Sequence, residues 1–215
     1  RLRFLKSYQI MPKLVIEKDV FTKSFATLEQ DIPPGITTWL QKLKKDAAVH
    51  FKQLGLPTER RGNEEWKYTD LRPIAKIAFS PINKSDSKKL SPEVLDDIYL
   101  GNPNWNRLVF VDGRFEPVLS FVNDTDNIAL KNLQDVVGDK SYKLEQHLSK
   151  YKDYSNNAFV ALNTAFIRDG ALIQISDNGL IKEPIHIIYI TTASQPETAS
   201  HPRTLILGGK GSQAE

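Results

Sequence analysis

Histidine is the side chain of this sequence best suited to bind a metal ion or to transfer protons near neutral pH. Its four copies, His50, His147, His186 and His201, stand far apart. Metal-binding histidines of a single chain usually come in close pairs, often four residues apart on a helix, with an acidic residue at a matching spacing. These four show neither feature, so the sequence predicts no metal site.

A glycine-rich segment near the end of the sequence superficially matches a phosphate-binding loop. It reads Gly208-Gly209-Lys210-Gly211-Ser212. In such a loop a glycine stands where this chain has Thr204, and a serine or threonine that binds Mg²⁺ stands where it has Gly211. No helix follows the segment either. We therefore interpret it as a turn between two strands.

Acidic residues could supply the general acid and base of a sugar-cleaving site, and the candidates are Glu64-Glu65, Asp96-Asp97 and Asp169. Adjacent acids on a loop or an exposed helix are usually a solvated surface, and we interpret them in that way. His186 stands in the apolar segment 184–190, where a strand would turn it to the same side as Ile188 and Ile190. This favours a packing role for its ring.

Composition excludes several classes of protein. The 215 residues contain no cysteine, which excludes disulfides, cysteine nucleophiles and thiolate-bound clusters built from this chain alone and favours a reducing compartment. The 29 basic residues outnumber the 26 acidic ones by too few to indicate binding to nucleic acid or to an anionic membrane. Apolar stretches are far shorter than the roughly 18 residues of a membrane-spanning helix.

One helix must position much of the first half of the chain. Apolar residues recur three or four positions apart at Ile36, Leu40, Leu43, Ala47, Phe51 and Leu54. This spacing predicts an amphipathic helix over 36–54 that ends at Gly55, with Pro57 two residues later. Its solvated face is predicted to carry Lys42, Lys44, Lys45, Asp46 and Lys52.

Weaker patterns predict further helices over 22–30, 91–100, 141–151 and 156–167. Asp112-Gly113 between two apolar runs predicts a β-hairpin, because the type I′ turn needs two residues with positive φ. Short strands are predicted over 171–175, 185–191 and 204–207 with no helix between them. Such strands fit a sandwich, a barrel or a coiled β-solenoid.

The loop that follows the first helix combines large aromatic and charged residues. Trp66 and Tyr68 stand beside Lys67 and Asp70 in a segment that is net negative and therefore unsuited to phosphate. Exposed aromatics of this kind indicate either a tightly docked local structure or a contact surface.

Four blocks of the sequence together resemble the SufB/SufD family, and the first of them points to its SufD branch. They are 64–73, which reads Glu-Glu-Trp-Lys-Tyr-Thr-Asp-Leu-Arg-Pro; 108–115; 158–166 with Asp169-Gly170; and 183–186 followed by 201–206. The resemblance marks Trp66, Lys67, Tyr68, Thr69 and Asp70 as a family signature without an assigned role.

The resemblance implies an α+β chain, with an N-terminal helical domain followed by the start of a right-handed parallel β-helix. We expect residues 1–10 to be upstream read-through or a leader before Met11, and 11–105 to form the mainly helical domain. Residues 106–170 would form a hairpin and helices that lead into the core, and 171–215 the first, incomplete coils.

The resemblance also implies a function. Members of this family are scaffold subunits that build iron–sulfur clusters with a SufB-like subunit and a SufC-like ABC ATPase, in the cytoplasm or in the plastid of a photosynthetic eukaryote. We therefore expect no catalytic residue and no cofactor bound by this segment, with a cluster held transiently by the complex. The alternatives are a β-helix enzyme acting on polysaccharides and an interaction module that uses the loop around Trp66.

Overall fold

The computed structural model describes residues 37–57, 64–82, 90–98, 101–123, 125–192 and 195–214. The helix predicted over 22–30 and the segment 1–10 lie outside these residues. No helix in the described ranges is long and apolar enough to cross a membrane.

The chain mixes helices with short strands. The helices are α1 Thr38–Leu54, α2 Arg72–Ala75, α3 Pro92–Ile98, α4 Leu133–Val136, α5 Leu144–His147 and α6 Ala158–Phe166, with 3₁₀ turns at Glu64–Trp66 and Lys140–Tyr142. The strands are β1 Ser80–Pro81, β2 Arg107–Val111, β3 Arg114–Phe115, β4 Ile128–Asn132, β5 Gly170–Ile175, β6 Leu180–Ile181, β7 His186–Ile190, β8 Thr198–Ala199, β9 Arg203–Gly208 and β10 Gln213–Ala214.

Helix α1 confirms the predicted amphipathic helix. It ends at Gly55, whose φ is 65° and whose N–H donates to the Phe51 carbonyl at 2.8 Å. The prediction for Lys44 was wrong, because this side chain is only 7% exposed. Residues 40, 44, 47 and 51 follow one another at spacings of four, three and four, so Lys44 falls within the buried stripe.

Helices α1 and α6 pack against each other and form one part of the core. The buried residues of this part are Ala47, Phe51, Leu56, Ala161, Leu162, Ala165 and Phe166. At the start of α6 the Asn157 carboxamide accepts the Val160 N–H at 3.0 Å, which fixes where the helix begins. The helix predicted over 156–167 is therefore confirmed.

The region between the hairpin and α6 differs from the sequence prediction. The helix predicted over 141–151 is interrupted at Lys143, whose φ of 49° ends a 3₁₀ turn before the four-residue α5. A left-handed backbone angle does not continue a right-handed helix, so the periodic pattern could not extend through this residue. Strand β4, which no sequence pattern predicted, precedes these turns, and its residues alternate between buried and partly buried.

Two three-stranded sheets enclose the second part of the core. Their strand orders are β3-β2-β7 and β4-β5-β9, in which β2 pairs with β7 and β5 with β9 in parallel. Buried between them are Leu108, Phe110, Ile128, Leu130, Ala171, Ile173, Ile175 and Ile181. The predicted hairpin is confirmed, since Asp112 and Gly113 between β2 and β3 have φ of 52° and 78°. The described strands form neither a closed sheet nor a solenoid sheet.

The last strands repeat at a constant distance along the chain. Gly170 pairs with Arg203 in β5–β9, and Leu180 pairs with Gln213 in β6–β10, so both parallel pairs join residues 33 apart. Between them, the Lys210 N–H donates to the Asp177 carboxylate at 2.7 Å and the Asn178 N–H to the Lys210 carbonyl at 2.9 Å. The glycine-rich segment is thus a turn stacked on an earlier turn, as predicted.

Gly170 permits the closest approach between β5 and β9. A Cβ atom at this position would lie 1.8 Å from the Arg203 carbonyl oxygen, and the φ of Gly170 is 156°. We expect Gly170→Ala to lower the free energy of unfolding of the full-length protein by about 3 kcal/mol, measured by chemical denaturation, because the strands must separate.

Gly208→Ala is the matched control in the same strand pair. Its Cβ would meet only the Ser212 hydroxyl oxygen, at 3.2 Å. We expect it to cost about 1 kcal/mol or less, since a serine side chain can rotate away. Equal losses for the two variants would contradict the close approach at Gly170.

Candidate functional site at the junction of the signature segments

The first residue of the signature, Trp66, packs against helix α6. Its ring centroid lies 5.1 Å from that of Phe159 in α6, and its side chain is partly buried. The Thr69 N–H donates to the Trp66 carbonyl at 3.0 Å and closes a turn after the 3₁₀ segment. This arrangement is the docked local structure, one of the two alternatives that the sequence left open.

The end of the signature is fixed by an ion pair. Arg72 donates from Nε and Nη2 to the two carboxylate oxygens of Asp70 at 2.8 and 2.9 Å, and the Arg72 N–H donates to the same carboxylate at 2.9 Å. The hydrogen bond from the Arg72 side chain holds the pKa of Asp70 below its usual value. Because both side chains are exposed, this pair orients the start of α2 more than it stabilises the fold.

The middle of the signature faces solvent. Tyr68 is 89% exposed, and the Lys67 ammonium lies 5.4 Å from its ring centroid and 3.7 Å from the Glu64 carboxylate. Cation–π contact at an exposed ring restricts the ring only weakly. The signature is therefore anchored by Trp66 and exposes Tyr68 to solvent, and the contact surface stays a prediction.

Asp169, one of the acids considered above for catalysis, is 2% exposed and joins four segments. Its carboxylate accepts N–H groups from Phe115 at 3.0 Å, Gln134 at 3.1 Å and Gly170 at 2.8 Å, with the Asn132 amide at 3.5 Å. Burial raises the pKa of Asp169, and the N–H donors oppose that shift. The carboxylate thus holds β3, β4, α4 and β5 together.

Arg203, the first residue of β9, connects the strands to α6. Its guanidinium donates to the Asn163 carboxamide oxygen at 2.8 and 2.6 Å, to the Thr164 hydroxyl at 2.9 Å and to the Ser149 hydroxyl at 3.2 Å. The Asn163 amide donates in return to the Pro202 carbonyl at 3.0 Å. Burial lowers the pKa of Arg203, and these uncharged oxygens replace the water that it loses.

Sequence reasoning missed this network, although it left a signal. Asn163 and Thr164 are polar residues inside the otherwise apolar run of α6, and Thr164 is completely buried. Buried polar residues of this kind require hydrogen-bond partners. The pattern could have indicated a polar contact of α6 but not that Arg203 would supply it.

The hairpin turn is tied to the neighbouring strand by a second buried acid. Asp112 is 4% exposed, and its two carboxylate oxygens accept the N–H and the hydroxyl of Thr192 at 2.9 and 2.8 Å. The Asp112 N–H donates to the Ile190 carbonyl at 2.8 Å. Because Phe115 bonds to Asp169 and Arg203 to Asn163, blocks 108–115, 158–166 with Asp169-Gly170, and 201–206 meet at one junction.

A small cavity lies at this junction. Its volume is about 20 Å³, and the polar part of its wall consists of Asp112, Arg114, Arg168, Ser200 and His201. The His201 ring stacks on Phe166 with centroids 5.2 Å apart, and burial lowers the pKa of His201 to about 4.

The other histidines lie on separate elements. His50 stands in α1 against Tyr154, His147 in α5 beside Tyr151, and His186 in β7 with its ring 5.2 Å from that of Trp105. The packing role predicted for His186 agrees with this contact. Within the described ranges no group of three or more histidine and acidic residues could hold a metal ion.

Among the side chains that the structure describes, the candidate acids do not assemble into a site. Glu64 and Glu65 are exposed on a 3₁₀ turn, whereas Asp169 is buried under backbone N–H groups. The side chains of Asp96 and Asp97 lie outside the described residues.

The two aromatic residues of the signature should differ in their effect on stability. We expect Trp66→Ala to lower the free energy of unfolding by about 2 kcal/mol, because the ring loses its contact with Phe159, and Tyr68→Ala to change it by less than about 0.5 kcal/mol. Chemical denaturation of the full-length variants measures both values. A loss for Tyr68→Ala as large as for Trp66→Ala would contradict this geometry.

His201 should make stability depend on pH. Its pKa is about 4 when folded and 6.5 when exposed, so its contribution is complete above pH 6.5 and is lost as pH falls towards 4. We expect the free energy of unfolding to fall by about 3 kcal/mol across this window. His201→Phe keeps an aromatic ring on Phe166 and should reduce the loss. If the free energy of unfolding of His201→Phe depended on pH in the same way as that of the wild-type protein, this assignment would be refuted.

Comparison with known proteins places these features in a family. The family model described as the SufBD protein N-terminal region matches residues 16–187 of this chain. An iron–sulfur cluster assembly SufBD family protein of Synechocystis is 31% identical over 165 residues, which are 76% of this chain and 35% of that protein. The iron–sulfur cluster assembly protein SufD of Escherichia coli is 40% identical over 82 residues, which are 37% of this chain and 18% of that protein.

The match therefore covers most of this chain, whereas the chain spans about a third or less of the length of these curated relatives. The signature around Trp66, the hairpin with Asp112 and helix α6 all lie within the matched residues. The SufD-like resemblance of the N-terminal region is confirmed, and the chain belongs to the SufBD family.

Proposed function

We propose that this chain is the N-terminal part of a non-catalytic scaffold subunit that assembles iron–sulfur clusters with a SufB-like subunit and a SufC-like ABC ATPase. Family membership supports this proposal, as do the names of both relatives, which are iron–sulfur cluster assembly proteins. The sequence offers no thiolate for a cluster, because it has no cysteine. A partner would supply those ligands, and the cluster would be held transiently at the level of the complex.

The observation that carries the proposal is the use of the buried polar residues. Three such side chains form hydrogen bonds within the protein to backbone N–H groups or neighbouring side chains, namely those of Asp169, Asp112 and Arg203. Such groups make a rigid framework, whereas a sugar-cleaving enzyme needs two carboxyl groups that face a substrate. The arrangement therefore favours a scaffold over a polysaccharide-active enzyme.

We propose further that β5, β6, β7, β9 and β10 belong to the first coils of a right-handed parallel β-helix. The shared offset of 33 residues in β5–β9 and β6–β10 supports this, since stacked coils of equal length produce one constant offset. In this proposal residues 11–105 form the N-terminal, mainly helical domain, 106–170 lead into the core, and 171–215 begin the coils. The place of action would be the cytoplasm or a plastid.

The outward part of the signature is proposed as a contact with a partner subunit. Tyr68 is held on a loop that Trp66 anchors and that the Asp70–Arg72 pair terminates, so presenting its ring requires little additional ordering. Exposed tyrosines on a preorganised loop are favourable contact residues because they bury much area at a low entropic cost.

The test uses the full-length protein with the SufB-like and SufC-like proteins of the same organism. We expect it to co-purify with them, to hydrolyse no ATP alone, and to support anaerobic cluster reconstitution, read as visible absorbance, only with its partners. Robust ATPase activity of the isolated protein, or failure to associate, would overturn the proposal.

Tyr68→Ala tests the contact within the same assay. We expect it to weaken association about tenfold, as for a tyrosine that acts as a hot spot of an interface and contributes more than about 1 kcal/mol. Tyr151→Ala is the matched control, since this tyrosine is also exposed, at 70%, and lies in another segment. Equal affinities for the two variants would place the contact elsewhere.

A further inference from the structure

The turn between β5 and β6 contains a chemically reactive pair, Asn178-Gly179. It is the one Asn-Gly pair of the sequence. The side-chain carbonyl carbon of an asparagine can be attacked by the backbone nitrogen of the next residue, and glycine hinders this attack least because it has no Cβ atom. Asn178 is exposed, and within the described part of the chain its carboxamide has no hydrogen-bond partner.

Two other asparagines show how the surroundings of Asn178 differ. The Asn157 carboxamide caps helix α6, and the Asn163 carboxamide oxygen accepts hydrogen bonds from Arg203. The residues that follow these two asparagines, Ala158 and Thr164, carry a side chain that shields the backbone nitrogen. A free carboxamide and an unhindered neighbouring nitrogen therefore occur together at Asn178.

We propose that Asn178 is a deamidation site and that its isoaspartate product breaks the stacked turns. The Gly179 nitrogen loses its proton and bonds to Asn178 Cγ, the side-chain nitrogen leaves as ammonia, and a cyclic imide results. Water opens the imide at either carbonyl, which gives aspartate or isoaspartate. The Gly179 N–H donates to the Ser176 carbonyl at 2.9 Å, so the turn must open first. Local opening of this kind is easiest beside short strands such as β6 and β10.

The isoaspartate product changes the backbone itself. It carries the chain through the former side chain and thus adds one methylene between residues 178 and 179. Gly179 has little room to shift, because a Cβ atom there would lie 3.0 Å from the carbonyl oxygens of Asn127 and Ser176. Its own carbonyl accepts the Gln213 N–H at 2.8 Å. The modification therefore displaces the turn on which β10 is stacked, whatever the role of the protein in cluster assembly.

The experiment incubates the full-length protein in mildly alkaline H₂¹⁸O and analyses tryptic peptides, made in ordinary water, by mass spectrometry. Peptide 169–182 contains Asn178 as its one asparagine, and peptide 153–168, with Asn156, Asn157 and Asn163, is the internal control. We expect peptide 169–182 to lose ammonia and gain one ¹⁸O atom before the control changes, and to do so faster in urea. If peptide 169–182 stayed unmodified in the folded protein, or reacted no faster than the control, the proposal would be overturned.

Two variants separate the modification from folding. Asn178→Gly removes the carboxamide, and glycine readily adopts the φ of 58° at this position. Asn178→Asp introduces the negative charge without lengthening the backbone. We expect incubation to lower the folding equilibrium constant of the wild-type protein about tenfold, as when hydrogen bonds of a turn are lost, and to leave Asn178→Gly unchanged. Freshly prepared Asn178→Asp should lose less than the incubated wild-type protein. Unchanged stability of wild-type protein that contains isoaspartate would overturn the proposed effect on the turns.

Discussion

The buried carboxylate of Asp169 is the interaction on which the arrangement of the sheets depends. It accepts N–H groups from β3, from the start of α4 and from the start of β5, and the most distant of these, that of Phe115, lies 54 residues from Asp169 in the sequence. Each of these N–H groups would otherwise be left without an acceptor inside the protein, at a cost of about 1–3 kcal/mol. One side chain thereby fixes the relative positions of strands whose own pairing covers only two to six residues.

The next residue, Gly170, extends this constraint to the last strands. Because it has no side chain, β9 can approach β5 directly, and Arg203 at the start of β9 then reaches the polar residues of α6. Asp169 directly precedes β5, Arg203 begins its partner β9, and the two side chains bind different elements. The Asp169 carboxylate fixes the positions of the strands, whereas the Arg203 guanidinium holds helix α6 against them.

Sequence patterns predicted the elements that depend on local spacing. Helix α1, the hairpin at Asp112-Gly113 and the strands around Ile173 and Ile206 follow from periodicity and turn chemistry. The prediction failed at two residues: Lys44 is charged but occupies a position of the buried stripe of α1, and Lys143 adopts a positive φ within a helix-like run. The partners of Asp169 and Arg203 come from distant segments, and no spacing rule predicts such pairs.

The constant offset between paired strands has a consequence for how the chain folds. Gly170 pairs with Arg203 and Leu180 pairs with Gln213, and both pairings close a chain segment of the same length. The two closures therefore cost a similar conformational entropy. During synthesis β5 leaves the ribosome before β9, so β5 is available when β9 emerges and Ile206 can pair with Ile173. Both pairings join residues 33 apart, so neither of them requires a contact between distant ends of the chain, and contacts of short sequence separation favour fast folding.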